Sequence, residues 1–485
     1  MHSTSGTAMT VNKRRLQYWC AGLTLALLVV VGLWHTHKPL PEGTSVATPL
    51  RVASQVRFLE DRTWVDSEGE RRKSQTVFDE VFRLIGQAER LVVLDMFLFN
   101  DFAGEADIYR PLSEELTTAL LQRVEQVDGL RVVLVTDPFN TLYGGVENPY
   151  LQRLEAAGVE VVMTDLTRLR DPNPAWSSIW RLCCQWFGNS PGGWLPNPVG
   201  TEAVSLRSYL ALLNFKANHR KTVVVDHGAD WAALVTSANP HDASSAHSNS
   251  GLSFSGEAAL DLLRTEAAVA AFSGHDLDVP APAEPGSGSG AVRAQVLTEA
   301  AIRDTVIKVL EAAGPGSRVE LAMFYLSHRG IIHALKAAQQ RGAGVRVLLD
   351  PNKDAFGREK NGVPNRQVAL ELHRAGVPVR WCNTQGEQCH SKQLLVVAED
   401  GGAELILGSA NFTRRNLDDY NLETNVRVLL PGGHDLIHEV SDSFDTAWHN
   451  RDGRQSSLDY VAFADESRLR YWQYRLMEAT GLSTF

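Results

Sequence analysis

The feature that most constrains this chain is that its two halves repeat each other in the same order. An amphipathic stretch, "VFDEVFRLIGQAER", leads into "LVVLDMFLF" (91–99), and "AIRDTVIKVLEAAGPGS" leads into "RVELAMFYL" (318–326). "LRVVLVTDPFN" (130–140) is answered by "VRVLLDPNKD" (345–354), and "RLEAAGVEVVM" by "ELHRAGVPVRW". Each half reads strand, helix, strand, helix, strand, with Gly158 and Gly376 closing helices as C′ glycines do. Such alternation predicts α/β layering, with helices packed on a largely parallel sheet. The expected fold is two similar α/β domains, each a mixed sheet flanked by helices, packed about a pseudo-twofold axis.

The halves are separated by "DVPAPAEPGSGSGA", a Pro/Gly/Ser-rich stretch that reads as a flexible linker over 278–291. Residues 50–277 are expected to form the first domain and 292–485 the second. Before them lies "LQYWCAGLTLALLVVVGLW" (16–34), uncharged and preceded by Lys13, Arg14 and Arg15. Its length just meets that of a transmembrane helix. The basic flank keeps residues 1–15 cytoplasmic and sends the bulk of the chain to the exported side, periplasmic, extracellular or lumenal. The rival reading is a cleaved signal peptide; no small-x-small site follows directly, which favours an uncleaved signal anchor. Of five cysteines, Cys382 and Cys389 flank a turn and can pair in an oxidising compartment. Adjacent Cys183 and Cys184 are not expected to pair with each other.

The repeat also carries chemistry. His219 and Lys221 stand two apart at the head of a Val-rich strand, and so do His390 and Lys392. Alternation along a strand puts both members of each pair on one face. After each pair a second strand leads to a small-residue turn, "TSAN" ending at Asn239 and "GSAN" ending at Asn411. Ten residues beyond each turn comes another asparagine, Asn249 and Asn421. If both sets face one cleft, two imidazoles and two ammonium groups surround one anion, an arrangement suited to attack on a phosphodiester. One histidine serves as nucleophile and the other protonates the leaving alcohol and later activates the incoming one. The lysines and turn asparagines offset charge on the phosphate oxygens. This route needs no metal or cofactor, and the chain shows no HExxH, DxDxD or cysteine cluster.

In these residues the sequence resembles the phospholipase D superfamily, whose signature is HxKxxxxD followed by GSxN, usually present twice. His219, Lys221 and Asp226 match the first element, and "TSAN" keeps Ser237 and Asn239 while replacing the glycine with Thr236. His390, Lys392, Gly408, Ser409 and Asn411 match in the second copy, where Val397 stands at the Asp position. The resemblance implies one active site at the interface of the two domains, within a single chain acting as a monomer. It also implies a downstream acid that hydrogen-bonds a catalytic imidazole. Glu423 is placed for that role beside His390, and the corresponding first-copy position is Gly251, which cannot serve. By strand parity Asp226 lies on the face opposite Lys221, as a structural partner. His227, His241 and His247 lack metal spacing and read as surface histidines; "DPFN" and "DPNK" read as loop-starting turns.

The halves differ chiefly in an insert, 166–217, that holds Trp176, Trp180, Trp186 and Trp194. It reads either as a membrane-interface element or as an aromatic cap on the domain core. Together with the anchor it points to a phospholipid membrane as partner, and to phospholipid with water or a small alcohol as substrates. The reactions implied are phospholipase D hydrolysis and phosphatidyl transfer of the cardiolipin-synthase kind. The alternatives are a membrane-anchored nuclease of the same superfamily and a degenerate, non-catalytic relative. A net charge of −10 and only short basic runs disfavour nucleic acid.

Overall fold

A computed structural model describes residues 5–102, 109–197, 199–228, 230–280, 292–355, 358–483 and 485. Two mixed sheets form the body. In the first, the strands run Ser54–Val65, Asn249–Ser255, Asp230–Thr236, Lys221–His227, Leu91–Met96, Arg131–Thr136, Glu160–Met163 across the sheet. In the second the order is Arg293–Thr298, Thr424–Leu430, Ala403–Gly408, Lys392–Val397, Arg318–Met323, Gly344–Leu349, Val379–Cys382. These seven strands correspond one for one; Arg71–Ser74 adds an edge to the first sheet, and Arg51–Val52 and Ser457–Asp459 add edges to the second. The directions of the seven correspond too: the first four pairings are antiparallel and the last two parallel in both sheets. Gly158 and Gly376 take the expected left-handed conformation after their helices. Linker residues 281–291 lie outside the described residues.

Apolar residues alternate faces along the central strands, so each sheet has two faces to bury. Helices cover one face. The other faces meet in a shared core in which Val224, Val235 and Leu252 of the first sheet pack with Leu395, Leu405 and Val426 of the second. Chain also crosses between the halves: Arg51–Val52 pairs with Arg293–Thr298 at the edge of the second sheet. The N-terminal helix spans Ser5–His37, and its 13–37 portion is long and apolar enough to cross a membrane. Its last turns pack on the insert helix Pro174–Cys183, where a Cβ on Gly32 would fall 2.6 Å from Ser178 Oγ.

The insert gives a divided answer. Trp180 is buried, with the Arg207 guanidinium over its ring at 4.0 Å, and Trp176 is half-buried and donates to the Leu210 carbonyl. Those two form a cap; Trp186 and Trp194 are exposed. Cys382 and Cys389 are joined, and so are Cys183 and Cys184, against expectation.

Candidate active site

Both catalytic candidates sit where the halves are stitched together by backbone. The His219 N–H donates to the Leu422 carbonyl at 2.9 Å, and the His390 N–H to the Ser248 carbonyl at 2.8 Å. Each histidine thus heads a strand of its own sheet while resting on a segment of the other. His219, Asn239, His390 and Asn411 line one cavity of ≈ 260 Å³. Phe97 packs on the His219 ring with centroids 4.8 Å apart, and Phe324 on His390 at 4.9 Å. Lys221 and Lys392 are fully buried beside these rings, and each donates to the carbonyl of its own histidine at 2.7 Å.

The partners of the two imidazoles are exchanged between halves. Glu423, expected beside His390, instead contacts His219 Nδ1 at 2.9 Å. His390 Nδ1 meets Asn249 Oδ1 at 3.1 Å. Pairing registers explain the error: Thr236 lies opposite Gly251 and Gly408 opposite Asn425, so the residue equivalent to Glu423 is Asn249. The segment after "TSAN" is two residues shorter than that after "GSAN", which displaces a simple count. Each serine of the turn braces its half's partner residue, Ser237 donating to Asn249 Oδ1 at 3.1 Å and Ser409 to Glu423.

The departure at Thr236 has a compensating change. A Cβ on Gly408 would fall 2.3 Å from the Thr424 carbonyl oxygen, whereas a Cβ on Gly251 would sit 3.1 Å from Thr236 Oγ1. Each turn therefore keeps one glycine in its cross-strand pair, on one strand in the first half and on the opposite strand in the second. Asp226 accepts the backbone N–H groups of Arg90 and Leu91 at the far end of the strand from His219, a structural cap at a position where Val397 suffices in the other half.

Sequence reading missed several contributors. His247, taken for a surface residue, is buried with its ring 5.7 Å from His390, and His241 is buried as well. Asp137 and Asp350 do more than start loops: each accepts the backbone N–H of the residue before a candidate histidine, Asn218 at 2.7 Å and Cys389 at 2.8 Å. Burial pushes both carboxyls up to about 7. Lys216, Lys360 and Arg415 add cationic side chains to the cavity wall. The "MF" shared by the first strands of both halves was the available signal for Phe97 and Phe324.

Burial lowers His219 to about 4, against the opposing pull of Glu423, and holds His390 well below its usual value. Both rings are neutral near pH 7. Because a carboxylate only accepts, Nδ1 of His219 carries the proton and Nε2 presents a lone pair. Burial also lowers Lys221 to about 7 and Lys392 well below its usual value, the latter reinforced by Lys221. Two ammonium groups crowded in a buried site are a standing cost that a bound anion would relieve.

Comparison with known proteins fits this geometry. Residues 306–448 match the family model described as "Cardiolipin synthase, PLD-like domain". The matched part of the chain is thus similar to a PLD-like domain, in keeping with the resemblance to the phospholipase D superfamily. Phosphatidylserine synthase of Haemophilus influenzae Rd KW20 shares the fold, with a TM-score of 0.55 at 10% identity over 90% of this chain and 95% of that one. Polyphosphate kinase of Porphyromonas gingivalis (TM-score 0.44, 14% identity, 83% of this chain and 51% of that one) is more distant. So is the phospholipase D family member Nuc of Salmonella typhimurium (0.27, 20%, 34% and 98%). No curated protein sequence matches the chain significantly.

Proposed function

We propose that the chain is a membrane-anchored phosphodiesterase of phospholipase D type, with catalytic halves at 50–277 and 292–485 and the active site on the exported side. It hydrolyses phospholipid headgroups or transfers phosphatidyl groups to an alcohol. The observation that carries this is the pairing of two neutral imidazoles in one cavity with two buried lysines. His219 Nε2 attacks phosphorus while the bond to the leaving alkoxide breaks, and His390, having taken up a proton with the anionic substrate, gives it to the leaving oxygen. Water or an alcohol then loses its proton to His390 and attacks phosphorus, and the P–N bond breaks to return the lone pair to Nε2. His219 is assigned as nucleophile because the phosphorylated ring, still protonated on Nδ1, is cationic, and Glu423 is the ionised partner that stabilises it. Lys221, Lys392, Asn239 and Asn411 supply donors to the phosphate oxygens. Apolar Phe97, Phe139, Leu212, Phe215 and Phe324 on the same wall favour a lipid over a nucleic acid.

The full chain in mixed phospholipid vesicles with a short primary alcohol tests this. Phosphatidyl-alcohol detected by mass spectrometry, and absent from His219→Ala and His390→Ala, is the expected result. Cleavage of single-stranded DNA or RNA instead would move the assignment to nuclease. No turnover on either substrate by folded protein would leave a non-catalytic relative.

A further inference from the structure

The helix Arg468–Thr480 presents a face to solvent that nothing among the described residues covers. Leu469, Trp472 and Leu476 are 81%, 67% and 64% exposed. At 100° per residue they fall within one 60° arc, with Arg468 and Arg475 together along one border. The opposite side is firmly held. Tyr474 is buried and accepts from Arg329, and Glu478 accepts from Ser327 Oγ at 2.7 Å and the Arg414 N–H at 3.0 Å. The chain then turns at Gly481, where a Cβ would fall 1.8 Å from the Pro172 carbonyl oxygen. Pro172 lies two residues before the insert helix that receives the N-terminal helix, and the Asp171 N–H donates to the His35 carbonyl at 3.0 Å. Beyond the turn, Phe485 is buried with its ring 6.2 Å from Tyr325, and Tyr325 lines the catalytic cavity. The end of the N-terminal helix, the C-terminal helix and the cleft wall are therefore one continuous structure.

We infer that the Leu469–Trp472–Leu476 face lies in the interfacial layer of the bilayer that the N-terminal helix enters, so that the cleft opens onto lipid. An apolar arc with arginines on its border fits an anionic leaflet. This inference rests on the membrane reading given above, and the experiment separates the two. Nitroxide labels are placed one at a time at Leu25, Leu469, Arg470, Trp472 and Leu476 in full-length protein carrying Cys20→Ser. The protein is reconstituted in phosphatidylcholine–phosphatidylglycerol vesicles, and collision with oxygen is compared with collision with a water-soluble nickel complex. Labels at Leu469, Trp472 and Leu476 should read as lipid-immersed and the label at Arg470, 100° round the helix, as aqueous. Aqueous readings at all three with Leu25 in lipid overturn this inference alone. An aqueous reading at Leu25 overturns the membrane reading and takes this one with it. Spin–spin broadening at the three positions would mean that a second copy covers the face, and would also overturn it. In a second measurement, the triple change Leu469→Ser, Trp472→Ser, Leu476→Ser should lower turnover of vesicle lipid about tenfold, from lost apolar contact. It should leave a soluble diester substrate unaffected; equal loss on both substrates would count against the inference.

Discussion

Glu423 gathers more of the site than any other single side chain. Fully buried, it accepts from His219, Ser409 and Asn416, and its own N–H donates to Glu299. Burial alone would raise its carboxyl, but His219, Lys221 and Ser409 hold it below its ordinary value. Replacing it with Gln keeps the shape and removes the charge that, in the proposed mechanism, stabilises a cationic phosphorylated ring. Glu423→Gln should therefore lower kcat by about 100-fold or more, within the range for a residue that supports acid–base or nucleophilic chemistry. Because Glu423 raises His219 against the larger effect of burial, its loss should also move the acidic limb of the kcat/KM profile below pH 4. A matched loss in Ser409→Ala with the limb unmoved would mean that the carboxylate only packs. This residue also marks where sequence reading stopped. Two His-x-Lys strands and two turns were legible because they recur in register. The exchange of Glu423 and Asn249 was not, because it depends on a two-residue difference in a connecting loop and on which half lies against which. His247 was hidden for the same reason, since its neighbour His390 is over a hundred residues away.

Elements carry the site in two ways that are open to test. The segment Cys382–Cys389, which ends at the residue before His390, is closed by its disulfide. In the chain-entropy view, closing so short a loop contributes ~2–3 kcal/mol. Cys382→Ala with Cys389→Ala should lower unfolding free energy in urea by about 2 kcal/mol; an unchanged midpoint would show that the loop is held by the Asp350 contact alone. The second element is the N-terminal helix. Its order and apolar length were plain in the sequence, but its seat was not, because a long hydrophobic run says nothing about what its last turns touch. Gly32 is where the helix approaches the insert most closely. Gly32→Leu should displace it and reduce turnover of vesicle lipid while a soluble diester is cleaved normally; equal rates on vesicles would show that anchoring and cleft orientation are independent.

At the scale of the whole molecule, the fold concentrates positive charge in a protein whose net charge is −10. The repeated topology brings Lys221 and Lys392 to one place from opposite halves, and Lys216, Lys360 and Arg415 stand on the wall above them. The folded-state value of Lys221 is near 7, well under its unfolded value, so between these the unfolded chain binds more protons than the folded one. As pH falls from the unfolded value towards 7, this lysine withdraws stability from the fold, and below about 7 the loss is complete. An anion in the site reverses that cost by favouring the charged lysine, so anion binding and protonation are coupled. Ligand linkage converts this into a melting temperature, since a ligand present at 100 times its Kd adds about 2.7 kcal/mol. Sulfate is the suitable probe, because its own charge does not change across the range. It should raise Tm at pH 6, and the gain should shrink steadily as pH rises past 7, where binding requires uptake of a proton. In Lys221→Met the gain should be smaller at pH 6 and less dependent on pH. A sulfate effect that is equal at pH 6 and pH 9, or unchanged by Lys221→Met, would show that the anion binds elsewhere and that the paired lysines are not the centre on which the two halves converge.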